Sequence, residues 1–412
     1  MRLFDENTRT DLRSAKESEP RFDYYNQSAR PSIVVLRGIL ERWFERYPDQ
    51  EKSGLRGRFR SSNDSQHKSA FFELYIHELV THLGFDLQVE PDVDGCGNHP
   101  DFLAHRNGTP KFYLEATLAG LPSEREYSAE KRTNIVYDAI NTIDSPNFFL
   151  AIDIEGAPVG SPSTKELRND LTRWLGTLDP DVIGKLYEGE RYAEIPSLTW
   201  QRDGWKLVFK PRPKSPEFRG KPGVRPIGLR MPTELEWLNT SIGIRRAVKA
   251  KAKQYGEFTL PFLIAINVVD SHCDNIDIMN ALYGDEVTVV SQAPDDTLTE
   301  RSQRKKNGAW YAEAGPRNTL VSGVLIGIDL HPWSMSTVTP ELFLNPWALH
   351  PFSTADWPLP HCAADLQKHR VRHQAGKSAG EILGIPSIWP LPGDWGPARF
   401  IQRQLNNDQL SE

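Results

Sequence analysis

Three acidic residues carry the chemistry that this 412-residue chain offers most legibly. Asp101 follows His99–Pro100 at the head of the stretch FLAHR, and Glu115 lies in KFYLEATLAG, beyond Asn107–Gly108. Asn-Gly between two β-favouring runs predicts a hairpin turn. Strands paired around that turn bring Asp101 and Glu115 together on one edge of a sheet. Side chains alternate along a strand, so Glu115 shares a face with Thr117 and Lys111, while Leu114 and Ala116 point the other way. Two carboxylates in a partly buried site repel unless a cation sits between them. Oxygen-only donors favour Mg2+ (or Mn2+), which keeps several waters and binds through one or two carboxylates plus substrate phosphate. Glu73, in the segment just upstream, is the natural third acid.

The elements that must position these acids are readable in outline. SAFFELYIHELVTHLG carries Phe72, Tyr75, Ile76, Leu79, Val80 and Leu83 at helical spacing and stops at Gly84. FDLQVEP reads as a short strand, GCGN as a turn, and the two runs around Asn107–Gly108 as strands. A helix from about Ser128 to Ile143 follows, then FFLAIDIEG as a buried strand. An earlier helix begins near Pro31, and Asp49–Lys68 reads as an exposed, charged connection. Later come a charged helix (Thr164–Leu178), a hairpin at Asp203–Gly204, a Pro-rich segment around Lys210–Gly223 unable to hold a central strand, and a basic helix (Ser241–Tyr255). PFLIAINVV and TLVSGVLIGIDL read as buried strands, and Asp295–Asn318 as a mobile charged loop.

Glu73, then Pro100–Asp101, then Glu115–Ala116–Thr117, set within helix–strand–strand–strand–helix–strand, resembles the PD-(D/E)xK nuclease superfamily. The resemblance covers roughly residues 66 to 156. It implies an α/β (α+β) restriction-endonuclease-like core, a mixed central sheet flanked by helices. It further implies that Asp101 and Glu115 bind a divalent metal and that Glu73 assists through water or metal. Implied too is hydrolysis of phosphodiester bonds in nucleic acid, DNA foremost, in restriction, phage defence or repair. The family's lysine, two residues after the second acid, is Thr117 here. Such a lysine would orient the attacking water and stabilise charge on the phosphoryl group. Either a metal-bound water suffices, or a cation arrives from elsewhere, with Lys131 and Arg132 the best substitutes, or catalysis is lost. Lys111 shares the face, but four residues at about 3.3 Å each put its backbone far away. A catalytically inactive module that binds nucleic acid or recruits a partner is the competing reading.

Each acid also has a plainer role open to it. Asp101 could cap a turn, Glu115 could lie on the solvent face of an edge strand, and Glu73 could be a solvated helix position, with Glu78 as fallback.

A basic stretch points to the same substrate class. Between Gln201 and Gly256 stand fourteen Lys/Arg against four acids, a local +10 inside a chain of net −6, leaving −16 elsewhere. Arg245, Lys249 and Lys253 recur every four residues; with Arg246, Lys210 and Arg212 they form the expected nucleic-acid-binding set. Trp200, Trp205 and Trp237 could stack on bases. Arg301, Arg304, Lys305 and Lys306 are assigned to the charged loop.

Several chemistries are excluded. Gly376–Lys377–Ser378 lacks the preceding glycine and strand of a phosphate-binding loop. His369 and His373 have zinc-ligand spacing without the intervening glutamate and read as a solvated basic helix. Cys96, Cys273 and Cys362 are odd in number and far apart, which argues against a disulfide framework. No apolar run approaches the roughly 18 residues that cross a bilayer, and the start resembles no secretory signal. The chain is thus expected to be soluble and cytoplasmic, without membrane contact, and to work with nucleic acid, with a protein partner or a second copy as further candidates. Its expected divisions are an N-terminal helical region (1–65), the nuclease-like core (66–160), a helix and basic Pro-rich hairpin region (161–256), and a C-terminal mixed α/β region of unread fold (257–412).

Overall fold

Helices α1 (Arg21–Gln27), α2 (Pro31–Arg46), α3 (Lys52–Phe59) and α4 (Asp64–His82) precede the first strand. The computed structural model describes residues 1–93, 97–160, 163–221, 225–232, 240–256, 258–292, 298–366, 370–386 and 389–390. Proline opens α2, where its missing N–H costs nothing, and Ile33, Leu36, Ile39, Leu40, Trp43 and Phe44 form the buried stripe. The Asp49–Lys68 stretch is not an open connection: it holds α3 and the first turn of α4. Leu55 and Phe59, one helical turn apart, are both buried, while Gly54 and Gly57 face open space. Glycine and charge on the outer side concealed the short apolar stripe. The Asn63 side chain caps α4 by accepting from the Ser65 N–H, and the chain leaves it through Gly84 at φ +85.

Strands β1 (Asp86–Val89), β2 (Phe102–Arg106) and β3 (Thr109–Ala119) form an antiparallel meander. Asn107 and Gly108 both take positive φ, 53 and 71, as a two-residue type I′ turn requires.

The chain then leaves this sheet. Helix α5 (Glu124–Ile140), strand β4 (Phe148–Glu155), helices α6 (Thr164–Gly176) and α7 (Pro180–Glu188), and strands β5 (Leu198–Arg202), β6 (Trp205–Pro213) and β7 (Ile227–Pro232) follow. Their strands make a separate sheet in the order β5-β6-β4-β7. It packs on the helices through Val136, Ile140, Leu167, Leu171, Leu150, Ile152, Leu207 and Phe209. The expectation that α5 and β4 complete the sheet of β3 is therefore corrected: β4 lies between β6 and β7. The prolines of the basic segment also prove compatible with a strand. β5 begins opposite Phe209, so it does not flank the residues of β6 beyond it, and Lys214 turns its N–H towards Asn147 beside β4. By alternation, Pro211 and Pro213 face the unpaired side, where no donor is needed.

Helix α8 (Thr240–Lys251) leads back to the first sheet through β8 (Phe262–Val268), which runs parallel to β3 with Glu115 opposite Ile264. All seven residues of β8 are buried, the pattern of a parallel strand covered on both faces. There follow α9 (Asn275–Tyr283), β9 (Glu286–Gln292), β10 (Leu298–Arg304), β11 (Tyr311–Ala312), β12 (Gly315–Pro316), β13 (Gly323–Ile328), β14 (Glu341–Leu344), β15 (His361–Asp365), β16 (Arg370–Gln374) and α10 (Ala379–Ile382). The resulting mixed sheet has eight strands, β1-β2-β3-β8-β13-β14-β15-β16. The expected mobile loop at Asp295–Asn318 is largely structured: β10 pairs with β9, β11 with β12, and Trp310 is fully buried. His373 lies on a strand, not a helix; His369 is outside the described residues.

The chain divides into two units. One comprises Met1–Leu12, Pro20–Leu121 and Leu238–Pro392, and contains the large sheet. The other comprises Arg13–Glu19 and Pro122–Trp237, and contains the four-stranded sheet. These limits differ from the boundaries expected at 65, 160 and 256. Among the described residues no helix is long and apolar enough to cross a membrane, and Cys273 and Cys362 are unbridged thiols.

Candidate active site

Glu115 stands on β3 with Tyr113 and Thr117 on the same face. That face is the one packed on α8, because their β8 partners Phe262, Ile264 and Ile266 share a core with Ile244 and Val248. Asp101 immediately precedes β2, whose first registered pair is Phe102 with Leu114, so Asp101 falls opposite Glu115. Two hydrogen bonds tie them: the Asp101 N–H donates to Glu115 Oε2 at 3.2 Å, and the Ala116 N–H donates to Asp101 Oδ2 at 2.7 Å. The expected convergence of these acids is thus a matter of strand register.

Glu115 is buried and does not stand alone. Lys251 Nζ donates to its Oε1 at 2.5 Å, and the Tyr255 hydroxyl donates to its Oε2 at 2.5 Å. Both partners come from the end of α8 and the turn after it. Glu73, on α4, accepts from the Tyr47 hydroxyl at 2.8 Å and from Arg58 at 2.5 and 3.0 Å. The acids act on one another: burial first, then Glu115, then Glu73 push the Asp101 carboxyl well above its ordinary 3.8, against the Ala116 N–H and Lys251. An acid raised by two neighbouring acids is one that a bound cation would return to its charged form.

That is the observation on which a metal is judged. Asp101 and Glu115 supply only oxygen donors, the set preferred by Mg2+ or Mn2+. Each carboxylate has about four lone-pair sites, so the hydrogen bonds already made do not exhaust them. The pair therefore fits a hard divalent ion. Three-acid ligation is not supported: among the described residues no group of three or more His, Cys, Asp or Glu side chains is placed to hold a metal. Glu73 is instead committed to Tyr47 and Arg58.

No family model, curated protein or solved structure matches this chain. The reading therefore rests on the residues themselves.

Thr117 lies further along β3, opposite Ile266. Lys131 and Arg132 lie on α5, in the other unit, where the Lys131 ammonium sits 4.5 Å from the ring of Tyr127 and Arg132 donates to the Pro158 carbonyl. The ammonium on Glu115 belongs to Lys251. The sequence held a signal for it. Ile244, Val248, Lys251 and Tyr255 follow one helical stripe, and Lys251 occupies an apolar position of that stripe. Glu78, the fallback acid, is a separate centre: its carboxylate is fully buried and held by Arg46, with His77 and His82 at 3.7 and 3.6 Å.

The basic stretch is divided between the two units. In one, Lys210 pairs with Asp153 at 2.7 Å and Arg212 lies over Tyr187 at 4.5 Å. In the other, Arg245 is bound to Asp285 and to the Asn280 carbonyl. Arg246, Lys249 and Lys253 are exposed, and Lys253 lies beyond the end of α8. Trp205 is buried edge-on against Trp200, which removes it as a base-stacking platform. Trp237 is outside the described residues.

Proposed function

We propose that this protein is a divalent-metal-dependent nuclease that hydrolyses phosphodiester bonds in nucleic acid, with DNA as its substrate. The observation that carries the reading is the paired Asp101 and Glu115 carboxylates with the Lys251 ammonium on Glu115. The order of elements supports it. Skipping residues 122–237, α4, β1, β2, β3, α8 and β8 run helix–strand–strand–strand–helix–strand, with β8 parallel to β3. That is the order of a restriction-endonuclease-like core, interrupted here by an inserted unit. A cytoplasmic setting, and a role in restriction, phage defence or repair, belong to this proposal.

Asp101 and Glu115 would hold the ion, which when bound supplies acidified water and neutralises charge on the phosphoryl group. The chain's own residues do the rest. The Ala116 N–H fixes one oxygen of Asp101, and the Tyr255 hydroxyl fixes Glu115. Lys251, two-tenths exposed beside a nearly buried carboxylate, presents the positive charge that Thr117 lacks, from α8 and not from β3, and can stabilise negative charge developing on phosphate oxygens. In the reaction a water oxygen bonds to phosphorus and the phosphorus–oxygen bond to the leaving strand breaks.

Incubation of the purified protein with DNA or RNA and Mg2+ or Mn2+ tests the reading. Wild type should cleave and Asp101→Ala should not; identical background cleavage by both rejects it. One observation favours a second reading, a nuclease-like module that binds nucleic acid or a partner without cleaving it. Both oxygens of Glu115 already have partners in Lys251 and Tyr255, so the carboxylate is neutralised without any ion. Salt-sensitive binding of nucleic acid with no affinity for Mn2+ would select that reading.

A further inference from the structure

We propose that Arg58 holds a backbone phosphate of the nucleic acid beside the Asp101–Glu115 pair, an assignment that rests on the nucleic-acid reading above. Arg58 lies on α3, in a stretch whose glycines and charges gave no hint of a site. Its Nη1 and Nη2 engage both oxygens of Glu73, at 2.5 and 3.0 Å. Glu73 is pinned from its other side by Tyr47. The ion pair is asymmetric: the Glu73 side chain is 8% exposed and that of Arg58 is 41% exposed.

A guanidinium has five N–H donors in a rigid plane. Glu73 takes two, and among the described residues no other acceptor takes the rest. An arginine fixed at one edge and open at the other is preorganised for bidentate capture of an anion, at little further cost in side-chain freedom. The position lies beside the pair: Tyr47, which shares Glu73 with Arg58, packs 4.9 Å from the His77 ring, and His77 lies 6.0 Å from the ring of Phe102, the residue after Asp101. Glu73 then acts as a positioning residue for Arg58, which explains why it is committed to Tyr47 and Arg58.

The test uses a short labelled DNA duplex, full-length protein, and Ca2+ in place of Mg2+ so that binding is read without turnover. Arg58→Lys keeps the charge that neutralises Glu73 and removes the fork. It should weaken duplex binding by ~10-fold while the circular dichroism spectrum and the Mn2+ affinity stay unchanged. A second measurement needs no variant: single phosphates of the duplex are replaced by neutral methylphosphonates. One position should weaken wild type by the same factor and leave Arg58→Lys unaffected. Unchanged binding by Arg58→Lys overturns the proposal, as does a variant that remains sensitive at every position, or absence of duplex binding by wild type. Cleavage with Mg2+ is read separately: binding that depends on Arg58 without cleavage keeps this assignment and removes the nuclease activity.

Discussion

Asp101 and Glu78 are two acids withdrawn from water in the same unit, and their surroundings act on them in opposite directions. At Glu78, burial is outweighed by His77 and the Arg46 guanidinium, and the carboxyl is held below its ordinary 4.5. At Asp101, burial is reinforced by Glu115 and Glu73, and the carboxyl is driven upwards. Glu78 is compensated within the protein and needs nothing further. Asp101 shares its site with two more acids, which Lys251 and the Ala116 N–H only partly offset. On the proposed function, a structural acid and a ligand-binding acid differ by how completely the protein supplies their countercharge.

Asp101→Asn should give the largest effect. It removes one ligand and part of the repulsion, so cleavage should fall by about 10³-fold while the metal-free protein becomes more stable at neutral pH. Initial-rate assays and urea unfolding read the two consequences; a loss of stability with this variant would break the contrast with Glu78. Lys251→Met should reduce cleavage by roughly 10- to 100-fold with metal affinity retained or increased, because Glu115 loses a competing cation. Isothermal titration with Mn2+ alongside the rate assay checks this. Arg46→Met acts on the other centre. It leaves Glu78 buried without its main partner and should cost roughly 1–3 kcal/mol of stability, with unchanged rate per folded molecule.

The pH dependence of unfolding should separate the two acids with a smaller effect. Glu78, depressed in the folded state, contributes stability that is present above its ordinary 4.5 and lost as pH falls through its lowered value. Asp101, raised in the folded state, retains a proton that the unfolded chain releases. Stability therefore declines as pH rises from 3.8 through the raised value, then levels off. Asp101→Asn should abolish that decline and Glu78→Gln should abolish the acid-side loss. Denaturant midpoints across acidic and neutral pH measure both.

The acids of the site were legible because strand pairing is local: Asn107–Gly108 sets the register that places Asp101 opposite Glu115. The upstream helix α4 was equally legible from its apolar spacing and glycine stop. What the sequence concealed came from long range. An inserted unit separates β3 from α8 and β8, so the element next in the chain, α5 with β4, is not the element next in the sheet. The ammonium on Glu115 comes from α8, where Lys251 follows the spacing of the Ile244–Val248–Tyr255 stripe. Arg58 was hidden for another reason. α3 is only two turns long, and its glycines weaken the helical signal that Leu55 and Phe59 carry.

The central claim is that Asp101 and Glu115 together hold a divalent ion. Titration of the wild-type protein with Mn2+, followed by electron paramagnetic resonance of the free ion and by proton release into weak buffer, tests it most directly. Saturable binding is expected, accompanied by release of the Asp101 proton at a pH below its raised value, and loss of both signals in Asp101→Asn. Equal Mn2+ binding by wild type and Asp101→Asn, or none by wild type even with DNA present, would contradict it.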